Sequence, residues 1–188
     1  MYYAPYMYPY HYVNPYYINV PMYHYVRHPD DWAMFNDANR FDFLPSSEGG
    51  RAIELKDYGP EPFVVNINEA AKQNNTFRTA LWTGNHLQVT LMSIKVGEDI
   101  GLEIHPNLDQ FLRVEQGQGI VRMGKRKENL NFVRNVYDDS AIMIPAGTWH
   151  NVTNTGNTPL KLYSIYAPPQ HPFGTVHVTK ADALAAEH

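Results

Sequence analysis

Four residues carry the chemistry in this 188-residue chain: Glu103, His105, Gln110 and His150. Glu103 and His105 stand two apart in the alternating stretch Leu102-Glu-Ile-His105. On a strand, residues two apart point to the same face, with Cα atoms roughly 6.5–7 Å apart. Two side chains of that length can converge on one ion. Gln110 opens the next stretch after a Pro106-Asn107 turn and can return to the same face. His150 follows Pro145-Ala-Gly-Thr-Trp, where Pro and Gly shape a tight turn just before a strand. Two imidazoles, one carboxylate and one amide oxygen make an octahedral donor set with two positions open. The set suits one divalent metal ion: Zn, Mn, Fe, Ni or Co. The amide oxygen of Gln110 is the weakest ligand and can act from behind the others. The alternative is an ion-free network in which these buried polar groups satisfy one another by hydrogen bonds.

Such a set needs a rigid frame, and from Arg78 onward the sequence is rich in strand signals. Apolar, β-forming stretches at 87–94, 102–105, 110–115, 120–123, 141–144, 149–153 and 160–166 each end at Gly, Pro or Asn. Short strands with turn signals every ~8–12 residues predict an all-β barrel or sandwich. The charged stretch 125–131 is a hairpin connection. One short helix is expected after Asn66 or Asn68, through Glu69-Ala-Ala-Lys-Gln, stopping at Asn74-Asn75. Another is expected from Thr179 through the Ala-rich end. Arg78, Trp82, Gln88, Thr90 and Met92 are expected to line a cavity. Tyr163 and Tyr166 lie on opposite strand faces, so at most one points inward. His171 and His177 are expected to be surface histidines.

The spacing of these residues resembles the cupin superfamily. Its first motif runs Gly, five residues, His-x-His, three or four residues, Glu, six residues, Gly. Here Gly97, Glu103-Ile-His105, Gln110 and Gly117 stand at those positions. The second motif runs Gly, five residues, Pro-x-Gly-x-x-His, three residues, Asn. Asp139, Pro145-Ala-Gly147-Thr-Trp-His150 and Asn154 match it. Three positions depart: Glu103 for the first His, Gln110 for the Glu, and Asp139 for a Gly. The first two compensate each other, because one carboxylate is kept among neutral donors and a divalent ion still meets a single negative charge. The resemblance, to small single-domain bacterial cupins, implies a double-stranded β-helix (jelly-roll) barrel and a homodimer.

Ahead of the barrel the composition differs. Residues 1–30 hold ten of the fourteen tyrosines and five prolines, and the first charged residue is Arg27. This predicts an extended Tyr/Pro-rich tail that docks or assembles, since disordered segments are usually charged and poor in aromatics. It is similar in composition to Tyr-rich stretches of bacterial spore-coat proteins. The expected organisation is tail and acidic lead-in at 1–45, with a short helix near 30–39, then a linker with a Pro45–Gly50 turn and the first helix at 46–77. The barrel follows at 78–168 and a C-terminal extension at 169–188.

Composition excludes several classes. There is no cysteine, which removes disulfides, thiolate metal sites and cysteine nucleophiles. A net charge of −4 shows no basic surface for nucleic acid or anionic membrane. No apolar run approaches the ~18 residues of a membrane helix, and no secretory signal is evident. A cytoplasmic location is expected, with the spore coat as the alternative.

Two functions follow. In the first, the metal acts as a Lewis acid on a small carbonyl- or sugar-type molecule. Glu103-x-His105-Pro106 is similar to the Gln-x-His-Pro metal motif of phosphomannose isomerases, and the resemblance implies an isomerase. Two His and one carboxylate equally suit an Fe(II) dioxygenase. In the second, the barrel is a non-catalytic structural protein carried into an assembly by its tail.

Overall fold

The structure, a computed structural model, describes residues 52–186. The expectations for the tail, the 30–39 helix and the Pro45–Gly50 turn lie outside these residues. The described elements, in chain order, are α1 (Ile67–Gln73), β1 (Arg78–Thr83), β2 (Gln88–Ile94), β3 (Asp109–Gln116), β4 (Gln118–Gly124), β5 (Phe132–Tyr137), β6 (Ala141–Ile144), β7 (Trp149–Asn154), β8 (Leu160–Ala167), β9 (Val176–His177) and α2 (Lys180–Ala186). The strands pair antiparallel in two sheets, β6-β3-β8-β2-β1-β9 and β5-β4-β7. Together they make the double-stranded β-helix barrel that the sequence predicts.

Alternation sets what each strand buries. Along β3, Gln110, Leu112 and Val114 point inward; along β7, His150, Val152 and Asn154 do. The core joins Met92, Leu112, Val114 and Leu162 of the larger sheet to Val121, Val136 and Val152 of the smaller. Register divides the inner face of the larger sheet into rows. Gln88, Tyr166 and Gln110 are cross-strand partners in one row; Thr90, Ser164 and Leu112 form the next; Arg78, Met92, Leu162 and Val114 form the third. Partners in a row share a face. One end of this inner face is therefore polar, and the other is apolar apart from Arg78.

The outer face of β1, β2 and β8 is covered by the chain that precedes them. Asn66 caps α1 by accepting the Glu69 amide at 3.3 Å, and α1 ends at Asn74, as expected. Ala70 and Ala71 press on Leu81 and Leu91, with Ile53, Leu55, Phe63 and Val65 packed around them. At the far end of the chain, Thr179 precedes α2, which sends Ala183 into the barrel core.

Two charged side chains buried elsewhere in the fold are paired. Glu115 accepts from Arg113 and Asn68, each at 2.5 Å. Lys161 donates to the Asn74 carbonyl and to Asn75 at 2.9 Å.

The expected strand over 102–105 is reduced to a single bridge, Glu103 opposite His150. Gly101, at φ 96°, precedes it and Pro106 follows, so the segment is too short to extend the pairing. The 125–131 connection joins β4 to β5 as expected.

Candidate metal centre

The Glu103–His150 bridge is what brings the site together. Glu103 N–H donates to the His150 carbonyl at 3.1 Å, and His150 N–H returns a bond to the Glu103 carbonyl at 3.0 Å. Residues paired in this way project to one side. His105, two residues on, is fixed by a different contact: its carbonyl accepts the Gly147 amide at 2.9 Å. Gly147 has φ 71°, a left-handed conformation that the Pro145-Ala-Gly turn requires and glycine adopts freely. The turn just before His150 thus also holds His105.

The donor atoms of Glu103, His105 and His150 all lie within 4.8 Å of one another. Glu103 Oε1 is 3.2 Å from His150 Nε2 and 3.5 Å from His105 Nε2. Neighbouring ligands on one ion, each about 2.1 Å from it, stand about 3.0–3.4 Å apart, so the spacing fits a shared cation. Proton placement agrees. His150 Nδ1 lies 2.9 Å from the Thr148 carbonyl, which can only accept, so Nδ1 carries the hydrogen. In the neutral ring, Nε2 then turns a lone pair toward a carboxylate oxygen. Two lone pairs at that distance repel unless a proton or a metal ion lies between them. Burial pushes the Glu103 carboxyl up, but the two imidazoles and the charge of Arg78 outweigh it and hold the group well below the usual carboxylate range. Glu103 is ionised.

Gln110 faces the same interior. Its amide N–H donates to Ser164 Oγ at 3.0 Å, and its Oε1 is buried without a partner. His105 Nε2 also lacks a hydrogen-bond partner. A buried polar atom left open costs about 1–3 kcal/mol; an ion held by Glu103, His105 and His150 would satisfy His105 Nε2. Of the four residues singled out by spacing, Glu103, His105 and His150 form one tight cluster, and Gln110 is buried on β3 against Ser164.

The surroundings settle which tyrosine faces inward and bring two corrections. Tyr166 is the inward tyrosine, fully buried with its ring 5.7 Å from His105 and edge-on to it; Tyr163 points outward and packs beside Phe111. Trp82 does not line the cavity. A β-bulge between Ala80 and Trp82 shifts the register, so Trp82 pairs with Val89 on the outer face and its indole N–H donates to the Glu61 carbonyl at 2.8 Å. His171 is not a surface histidine: its ring packs edge-on against Tyr166 at 5.1 Å. Burial, reinforced by the charge of Arg78, pushes its pKa down to about 3. Gln88 holds it there, donating to the His171 carbonyl and accepting its amide, each at 2.9 Å.

Comparison with known proteins agrees with this architecture. Residues 90–166 match the family model described as a cupin domain. The chain is 69% identical over 185 residues to the uncharacterized protein YrkC of Bacillus subtilis (strain 168), covering 94% of this chain and 99% of that one. It is 43% identical over 119 residues to the uncharacterized protein L612 of Acanthamoeba polyphaga mimivirus, covering 63% of this chain and 72% of that one. Among solved structures, BH2720 from Bacillus halodurans is 73% identical, with a TM-score of 0.69 over 70% of this chain and 99% of that one.

Proposed function

Since the chain belongs to the cupin family, we propose that it is a divalent-metal-binding protein whose ion acts on a small carbonyl- or sugar-type substrate, in the manner of an isomerase. The observation that carries this reading is the convergence of an ionised Glu103 with His105 and His150 inside the barrel. A divalent ion there supplies Lewis acidity, polarising an oxygen of a bound molecule.

The protein's own residues do the rest. Thr148 fixes the His150 tautomer so that Nε2 faces the interior. Ser164 holds the Gln110 amide N–H. Tyr166 closes the polar row and covers His105. Burial of these groups excludes bulk water and strengthens every charge interaction among them.

Elemental analysis of the purified chain tests the reading. We expect one metal ion per chain, lost in His150→Ala with the fold retained by circular dichroism. A metal-free wild type after loading with Zn(II), Mn(II) and Fe(II) in turn sinks it.

One observation favours a second reading. Two histidines and one carboxylate are the donor set of Fe(II) oxygenases. Oxygen uptake by the Fe(II)-loaded chain, absent with Zn(II), separates a dioxygenase from an isomerase.

We also propose a homodimer. Phe111, Met143, Ile165 and Pro145 line an apolar groove of about 350 Å³ on the outer side of β3 and β6, and Met143 is 64% exposed. Met143→Glu should shift the chain to a monomer in light scattering. The non-catalytic alternative, assembly through the Tyr-rich tail, is separated from catalysis by deleting that tail.

A further inference from the structure

Arg78 sets a fixed positive charge inside the barrel. It stands on the inner face of β1, 2% exposed, in one row with Met92, Leu162 and Val114. A guanidinium keeps its proton at any working pH. Burying it is costly unless an opposite charge answers it.

That opposite charge is Glu103. Arg78 and Glu103 line one cavity of about 70 Å³, whose walls also include Ile100, Leu102 and the α2 residues Lys180 and Ala183. Lys180 is neutralised by Asp99 at 2.6 Å, so Arg78 and Glu103 set the charge of this cavity. Burial raises the Glu103 carboxyl, and the two imidazoles and the Arg78 charge together overcome that effect. Glu103 therefore serves two positive charges. Its Oε1 stands 3.2 Å from His150 Nε2 and 3.5 Å from His105 Nε2, the spacing of ligands that share an ion. The same carboxylate answers the guanidinium across the cavity. With both imidazoles neutral and no ion, the carboxylate and the guanidinium cancel. A divalent ion adds its full charge to that balance, and in a buried site like charges repel strongly.

We propose that Arg78 is a resident counter-charge for Glu103, which stabilises the barrel without metal and lowers its affinity for a divalent ion. Arg78 is thus a positioning residue: it acts on the ion through Glu103 and touches no substrate. The affinity half of this inference rests on the metal reading; the pairing with Glu103 does not.

Titration of the metal-stripped, full-length chain with Zn(II) against a chromophoric chelator tests the affinity. We expect Arg78→Met to bind Zn(II) about tenfold or more tightly than wild type. Damage to a site weakens binding, so a merely structural role does not give a gain. Equal or weaker binding by the folded Arg78→Met chain overturns the proposal. Arg78→Lys, which keeps the charge, should show no such gain; a gain equal to that of Arg78→Met also overturns it. A second measurement needs no metal. In the metal-stripped chain, Arg78→Met should lower the melting temperature less in a Glu103→Gln background than in wild type, because the two charges are coupled. Equal losses in the two backgrounds overturn the pairing. If Arg78→Met alone does not fold, the double variant decides: its folding supports the pairing, and its failure to fold overturns it. A wild type that takes up no ion rejects the metal reading and leaves the pairing to the melting temperatures. A wild type that binds Zn(II) as tightly as Arg78→Met keeps the metal reading and rejects this one.

Discussion

At the scale of single residues, the site is a set of groups held in defined charge states by what surrounds them. His171 is the clearest case. The unfolded chain takes up its proton near pH 6.5, whereas the folded chain resists until about pH 3. Between those values the unfolded state binds more protons, so stability must fall as pH drops through that window. The slope from this residue approaches about 1.4 kcal/mol per pH unit. Chemical denaturation at pH 7, 6, 5 and 4 should show that slope, and His171→Gln should flatten it by up to one proton. An unchanged slope in the variant would show that other groups carry the acid sensitivity. Sequence spacing could find Glu103 and His105, because two residues apart on an extended chain is a local relation. It could not find His171, whose place depends on Gln88, 83 residues away.

At the scale of elements, backbone geometry decides which side chains meet. The bulge in β1 carried Trp82 out of the cavity although simple alternation put it inside. A bulge inserts one residue and reverses everything beyond it; no residue type in Arg78–Thr83 announces it. β5 escaped the strand reading for a related reason. Four of its first five positions are exposed, so it lacks the apolar alternation that marks its neighbours. The turns were more legible, since Gly and Pro mark them by type. Asp139 is the exception to glycine. It adopts φ 67°, its amide donates to the Val114 carbonyl at 2.9 Å, and Arg113 holds its carboxylate at 2.5 Å. Aspartate tolerates this region better than most residues. Asp139→Ala should therefore cost about 1–2 kcal/mol relative to Asp139→Gly in urea denaturation; equal stabilities would show that backbone conformation is not what limits this position. Gly147→Ala strains the left-handed turn that also fixes His105. It should lower metal content as well as melting temperature, whereas Asp139→Gly should leave metal content unchanged.

At the scale of the whole molecule, the barrel and the aromatic leader are separable in experiment. All four candidate ligands lie between residues 103 and 150, so deleting residues 1–45 should leave metal stoichiometry at the wild-type value. Light scattering on the same sample reads the assembly reading independently. Oligomers larger than a dimer that vanish with the deletion support it, and an unchanged size rejects it. The opposite terminus has a different consequence. The last helix seals Ala183 against the core, and its Lys180 is tied to Asp99 beside the Arg78 cavity. That seal ties the helix to the stability of the barrel, so Ala183→Asp, which sets a carboxylate among apolar neighbours, should lower the melting temperature markedly.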